Sequence, residues 1–391
     1  MKPRVVAYGA MALALLAEAP ALWPSSFIVT DHLIIWYVGR VIASGGSPYL
    51  TATWVDAATR YGSPHIQEIL DYGASVWPYP PWTGYLFVPF GILPVEVGPW
   101  VLHVAYIAAG LAGAIVLARM LPWRTSSMFA AALAVFAVFQ PFVIAARWGQ
   151  FTSFVLVGFV LLVAGMRSRS VPLLVAGALL LATKPQLTAI LGVVVLVVLI
   201  RDRAARELAG AAVAVGAVLA LTWLRYPEWL EAATSGSGVR IGLLEIFAST
   251  WGLAINVAPS AWPFVGGLLV LAVYACVLMA VRSSPAPLRV TTALCGALVA
   301  GVATVPLAHA YDHLLLAPTL FVALLAWSWS TGIARLTQGV LLVLLAVAVP
   351  WIAFVLSVAG PTQAVSGIVP ILFAPLLLGS ATLLRRYAKS A

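Results

Sequence analysis

Twelve apolar runs, each about 15–25 residues long, follow one another along this chain with short polar breaks between them. They lie at about 5–22, 95–118, 126–145, 150–166, 170–183, 186–200, 207–224, 258–281, 289–307, 313–330, 336–356 and 366–384. A bilayer core offers no water to peptide groups, so a chain inside it must close its own hydrogen bonds as helices or as a sealed barrel. Barrel strands are about 10 residues long and alternate apolar with polar side chains. These runs are longer, unbroken and rich in Leu, Ala and Val. The expected fold class is an all-α polytopic membrane protein, one domain over residues 1–391, with about twelve transmembrane helices. Charge content says the same from the other side. Only 8% of residues are charged and mean hydropathy is +1.05, against about 25% charged in soluble domains. So few charges cannot coat a water-facing surface.

The net charge of +9 does not signal nucleic acid. The basic residues sit in short loops between apolar runs, with no Arg-rich stripe interleaved with aromatics. Placing the N-terminus inside and alternating the runs puts 15 of the 21 basic residues on the inner face. They are Lys2, Arg4, Arg119, Arg124, Arg167, Arg169, Arg201, Arg203, Arg206, Arg282, Arg289, Arg335, Arg385, Arg386 and Lys389. Arg40, Arg60, Arg147, Lys184, Arg225 and Arg240 fall outside. Cytoplasmic loops carry the Lys/Arg excess, so both termini are expected in the cytoplasm, with the protein in the plasma membrane. The apolar stretch 82–93 is too short to cross, since a span needs about 20 residues. Counting it as a span would move every later Arg cluster outside, so it reads as a half-helix in the outer interface, where Trp77, Tyr79, Trp82 and Tyr85 suit the depth. Residues 1–17 resemble a signal peptide, and Ala17-Glu18-Ala19 a cleavage site, but Pro20 hinders the cut and the segment reads as an uncleaved first helix. Cys276 and Cys295 lie inside apolar runs and read as packing residues.

Acidic residues single out the outer face. Nine of twelve fall there, among them Asp31, Glu228, Glu245 and Asp312, as do the long loops at 23–94 and 225–257. Thr30-Asp31 opens a short helix with Ile34, Ile35, Val38, Val41 and Ile42 on one face and His32, Gly39 and Arg40 on the other. That pattern predicts a helix lying flat on the membrane, ended by Gly45-Gly46-Ser47-Pro48. Asp31 is then either a helix cap or an acid held at the membrane surface. Trp77-Pro78-Tyr79-Pro80-Pro81 is either a stiff connector or an aromatic wall that can stack on a sugar or isoprenoid.

Three further outer junctions carry isolated polar residues: Arg147-Trp148-Gly149-Gln150, Thr183-Lys184-Pro185-Gln186 and His309-Ala310-Tyr311-Asp312-His313. Arg147 and Lys184 either snorkel to the interface or supply the cations that a phosphate-bearing lipid head group needs. The His-Asp-His run lacks further ligands at metal spacing, so no metal is expected. No nucleotide loop, zinc-protease motif or serine-nucleophile elbow occurs.

The order Asp31, Gly46-Ser47-Pro48-Tyr49, Tyr79-Pro80-Pro81, Gly149-Gln150, Lys184-Pro185-Gln186, then His309 and His313 followed by Pro318, resembles the GT-C glycosyltransferases of family 87. The resemblance runs to about residue 320. It implies a GT-C-like helical bundle with interfacial helices in the first outer loop. It also implies transfer of a sugar, mannose foremost, from a polyprenyl-phosphate donor to a lipid or glycan acceptor on the non-cytoplasmic face, among membrane lipids and with no nucleic acid. Asp31 is the implied general base. Relatives in the wider group carry a second acid in this region, and here His32 follows Asp31, which favours inverting chemistry without metal or cofactor. By the same resemblance Arg147 and Lys184 face the donor phosphate. Tyr79, Gln150, Gln186, His309 and Asp312 surround the substrate, and one of His309 and His313 is catalytic, with His313 preferred. The physical chemistry agrees: a polyprenyl phosphate leaves once cations neutralise its charge, and an acceptor hydroxyl needs a base as the new bond forms.

Two other functions fit a polytopic chain. A transporter or flippase of linked sugars would put ionisable groups near the midplane, in repeated halves. Here they sit at helix ends and the halves differ. A non-catalytic lipid-binding subunit would not need Asp31.

Topology is tested with single cysteines on a background lacking Cys276 and Cys295. Thr51, Gln150 and His309 positions should react with an impermeant maleimide on intact cells, and Arg124, Arg203 and Ser284 positions should not. Labelling at both 124 and 203, with positions 150 and 309 protected, would mean that 82–93 crosses the membrane.

Overall fold

A computed structural model describes residues 3–24, 26–73, 75–234, 247–359 and 363–390. Of the charges counted above, Lys2, Arg240 and Glu245 lie outside these residues. The apolar runs fold as helices, and no strand occurs among the described residues. Seven helical segments are long and apolar enough to cross a membrane: Gly98–Arg119, Ala205–Arg225, Trp262–Ser283, Ala286–Thr304, Ala310–Trp329, Arg335–Ser357 and Ala364–Ala388. A bent pair, Ser126–Ala137 and Gln140–Trp148, makes an eighth if it is one broken span. The remaining four runs fold as helices whose described apolar stretches, Tyr8–Leu22, Thr152–Ser168, Val171–Leu181 and Pro185–Arg201, are 10–17 residues long. The protein is thus an all-helical polytopic membrane protein with seven or eight full-length candidate spans; a count of twelve needs these four shorter helices as well.

In chain order the elements that build the site are α1 (Pro3–Leu22), α2 (Asp31–Ala43), α3 (Thr51–Tyr61), α4 (Pro64–Asp71), α5 (Pro81–Tyr85), α6 (Val88–Gly91), α7 (Gly98–Arg119), α8 (Ser126–Ala137), α9 (Gln140–Trp148), α10 (Thr152–Ser168), α11 (Val171–Leu181), α12 (Pro185–Arg201), α13 (Ala205–Arg225) and α14 (Trp229–Thr234). The 45° bend between α8 and α9 has a local cause. Pro141 stands in the first turn of α9 and has no N–H to continue the α8 ladder, and the N-cap Phe139 is extended at φ −66°, ψ 108°.

The first outer loop departs from its sequence pattern. A flat interfacial helix would leave its polar face in water. Instead ten of the 13 residues of α2 are buried, including His32 and Gly39, and Arg40 is exposed near its end. The apolar face was read correctly, but the opposite face packs on protein too. The stretch 82–93 is not one half-helix. Pro81 and Pro89 each start a new turn, which gives two short helices, α5 and α6. α6 crosses α2 where Gly39 meets Gly91: a Cβ on Gly39 would run into the Phe87 carbonyl, and one on Gly91 into the backbone of Gly39 and Arg40. Backbones this close tolerate only glycine. The Trp36 indole donates to the Leu93 carbonyl (3.1 Å) and fixes the same crossing. Trp77, expected at interface depth, is fully buried.

The start of α4 is fastened separately. Pro64 takes the first helical position, where its missing N–H costs nothing. The Ser63 hydroxyl accepts from the Ile66 N–H (3.3 Å) and donates to the Ile28 carbonyl (2.7 Å). α4 is thereby anchored three residues before Asp31.

Candidate active site

One cavity of about 650 Å³ opens where these elements meet. Its wall takes Asp31 from α2, His65 from α4, Trp77 and Tyr79 from the proline-rich segment, Gln150 from the α9–α10 turn and Lys184 and Gln186 from the start of α12. Trp229 of α14 and the turn that carries His309, Tyr311 and Asp312 complete it. The alternation of twelve runs expected from the sequence puts these junctions on one face, and the cavity joins them. Most of the rest of the wall is aromatic or aliphatic, with Ile34, Ile35, Ile69 and Phe151.

Asp31 is the first residue of α2, but it does not cap the helix. Thr30 is the N-cap, and it makes no side-chain cap bond. The Asp31 carboxylate faces the cavity instead. One oxygen lies 2.9 Å from His65 Nε2, and the other accepts from the Gln150 side-chain amide. Burial alone would lower the affinity of the His65 imidazole for a proton. The hydrogen bond and charge of Asp31, with the charge of Glu68 added, outweigh it and raise the imidazole above its ordinary range.

Lys184 is only 2% exposed. Its ammonium donates to Asp312 Oδ1 (2.7 Å), Gln150 Oε1 (3.1 Å) and Thr152 Oγ1 (3.1 Å). It also stands 5.0 Å from the Phe151 ring centre and 4.9 Å from that of Tyr311. Asp312 is held in turn by the Thr152 hydroxyl (3.3 Å) and the His309 N–H (3.1 Å). A continuous polar chain therefore runs from His65 through Asp31, Gln150 and Lys184 to Asp312. Pro185 at the first position of α12 leaves Lys184 as its N-cap residue, outside the helical ladder.

The sequence-derived site residues divide unequally. Asp31, Tyr79, Gln150, Lys184, Gln186, His309 and Asp312 all line the cavity. Arg147 does not: its guanidinium donates to the Ala21 carbonyl at the end of α1 (3.2 Å). His313 does not line it either. It is buried, with Nε2 3.0 Å from the Ala248 carbonyl. Of the two histidines, His309 is the one on the wall, not the expected His313. No group of three His, Cys, Asp or Glu among the described residues is arranged to hold a metal.

Two histidines escaped the sequence reading. His65 sits in a polar stretch whose only cue is Ser63-Pro64, a helix start. His103, inside an apolar run, pairs with His32: His32 Nε2 lies 3.1 Å from His103 Nδ1, which is also 3.1 Å from the Ala146 carbonyl. The carbonyl only accepts, so His103 Nδ1 carries the hydrogen and His32 Nε2 accepts. His32 Nδ1 then donates to the Thr30 hydroxyl (2.9 Å). Burial, and then the neighbouring His103, hold the His32 imidazole well below its ordinary range, and so neutral. Gly149, at φ 77°, closes over this ring, and a Cβ there would stand 2.5 Å from His32 Nδ1. His32 and Gly149 are the neighbours of Asp31 and Gln150, so this contact sets the two functional side chains against each other.

A family model described as glycosyltransferase family 87 matches residues 77–308, more than half of the chain. The chain belongs to glycosyltransferase family 87. The match includes Tyr79, Gln150, Lys184 and Gln186 and ends one residue before His309; Asp31 and His65 precede it. No curated protein and no solved structure matches the chain. The protein is therefore a membrane glycosyltransferase, and the cavity that gathers these side chains is its candidate active site.

The buried ion pair makes a stability prediction. Lys184→Met leaves the Asp312 carboxylate buried with only a hydroxyl and one N–H, and should cost about 3–5 kcal/mol, read as a lower melting temperature of the purified enzyme. Adding Asp312→Asn should return most of that loss. A Lys184→Met variant that melts like the parent would show that the pair does not form.

Proposed function

We propose that the enzyme transfers a hexose, mannose foremost, from a polyprenyl-phosphate donor to a hydroxyl of a lipid or glycan acceptor, with Asp31 as general base. The observation that carries this reading is the setting of Asp31. Its carboxylate is not spent on the helix, faces a cavity walled by aromatic and aliphatic side chains, and is oriented through both oxygens. In the proposed step the acceptor oxygen attacks the anomeric carbon while its proton passes to Asp31. The bond from the anomeric carbon to the phosphate oxygen breaks, and its electron pair leaves with the polyprenyl phosphate. A single displacement of this kind inverts the anomeric centre.

The leaving phosphate gains negative charge as the bond breaks, and a fixed cation in a dry site stabilises it. Lys184 is the single Lys or Arg among the described residues of the wall, so the phosphate is assigned to its neighbourhood, beside Gln186 and His309. Tyr79 offers a face for the sugar or the first isoprene units, with the buried Trp77 packed behind it. No metal enters the scheme. The residue after Asp31 is His32, whose ring is occupied by Thr30 and His103. The excess of basic residues in the alternate loops supports cytoplasmic termini and a non-cytoplasmic cavity.

Asp31→Asn tests the role of the acid. The substitution removes the base and keeps the size of the side chain. Turnover of polyprenyl-phosphate mannose should fall about 10²–10⁴-fold, with melting temperature and donor binding close to those of the parent. A variant that retains more than about a tenth of the parent rate removes Asp31 from the mechanism.

A further inference from the structure

We propose that His65 is a positioning residue for this reaction, one that holds the Asp31 carboxylate by one oxygen and, by its own protonation, sets the pH below which Asp31 stops acting as a base. The inference rests on the reading of Asp31 above. It starts from a contact between residues 34 apart in sequence, His65 Nε2 and Asp31 Oδ1 at 2.9 Å, on the wall of the cavity. Both side chains keep contact with the cavity, at 29% exposed for His65 and 21% for Asp31.

The pair is fixed from both sides. Gln150 occupies the second oxygen of Asp31, so the carboxylate cannot rotate away without breaking two bonds. His65 is the second residue of α4, whose start is tied by the Ser63 hydroxyl to the Ile28 carbonyl. A carboxylate only accepts, so Nε2 carries a hydrogen in either protonation state. His65 Nδ1 has no hydrogen-bond partner among the described residues, and it is the nitrogen that gains or loses the proton.

The two states of the ring have different consequences. A neutral imidazole donates one hydrogen bond and aims the carboxylate. An imidazolium adds a full positive charge 2.9 Å away, which favours the carboxylate over its protonated form. Asp31 then draws the acceptor proton more weakly. The charges acting on His65 are Asp31 of α2 and Glu68 one turn further along α4. Tyr72 and Tyr79 share the cavity wall. α3, packed on α4, carries Tyr61 and the ion pair of Asp56 with Arg60. The two acids raise the imidazole above its ordinary range. The ring is therefore charged at acid pH and loses its charge only above that ordinary range. Activity should rise with pH through that transition.

The test compares His65→Gln, which keeps an N–H donor but cannot titrate, with His65→Ala, using the full-length enzyme in nanodiscs and polyprenyl-phosphate mannose as probe. His65→Ala should lower kcat about 10–100-fold, with the donor KM within about twofold. His65→Gln should return kcat at pH 8 to within about threefold of the parent, and its acid limb should shift down by about one pH unit or more. Three results overturn the proposal: a fully active Ala variant, a Gln variant with the parent's acid limb, or a Gln variant as inactive as Asp31→Asn, which would make His65 itself the proton acceptor. A second readout needs no turnover. In histidine-labelled protein the NMR titration midpoint of His65 should fall by about half a unit or more in Asp31→Asn. An unmoved midpoint overturns the pairing. A lowered midpoint in a protein that consumes no donor leaves the pairing standing and removes the proposed function instead.

Discussion

The buried ammonium of Lys184 is the charge on which the site depends. Taking a lysine out of water costs several kcal/mol, and the molecule offsets this with three acceptors and two aromatic faces. Those partners come from the α9–α10 turn and from the turn before Ala317–Trp329, while Lys184 itself precedes α12. Satisfying one charge therefore draws three helix junctions to a common point. The Gln150 amide then passes the constraint on: its oxygen is taken by Lys184, so its N–H group is turned toward Asp31. The orientation of the acid on α2 is thus fixed by a cation at the start of α12, through one side-chain amide.

Such an arrangement suits a displacement at a charged leaving group. The surroundings are apolar, so each fixed charge acts through little dielectric screening. Asp312 holds the Lys184 ammonium in place, and Asp31 lies one side-chain amide away from it, across Gln150. Acid and cation, bridged by the Gln150 amide, give a donor a defined direction. Preorganised dipoles of this sort need no rearrangement as charge develops.

Much of the site was legible in the sequence because polar residues are costly in an apolar chain. Gln150, Lys184, Gln186, His309 and Asp312 stand out where apolar runs break, and breaks of the same parity share a face. What failed has equally physical reasons. Arg147 lies three residues from Gln150, but Gly149 turns the chain through a positive φ between them, and the guanidinium ends on α1. His313 follows Asp312 in a tight 3₁₀ turn, so its ring points elsewhere, to Ala248. His65 gave no signal, because its partner is remote in sequence and the loop around it is ordinarily polar. The burial of α2 was also beyond reach: an apolar stripe does not say what covers the other face, and the Gly39–Gly91 crossing is visible only once both helices exist.

The most direct test of the account is donor consumption by the purified enzyme. Protein in nanodiscs would be incubated with a panel of polyprenyl-phosphate sugars and, separately, of nucleotide sugars, and release of polyprenyl phosphate or nucleotide followed by mass spectrometry. The account predicts that a polyprenyl-phosphate sugar, mannose first, is turned over with release of polyprenyl phosphate while nucleotide sugars are untouched. Turnover of a nucleotide sugar, with every polyprenyl-linked sugar left intact, would contradict it.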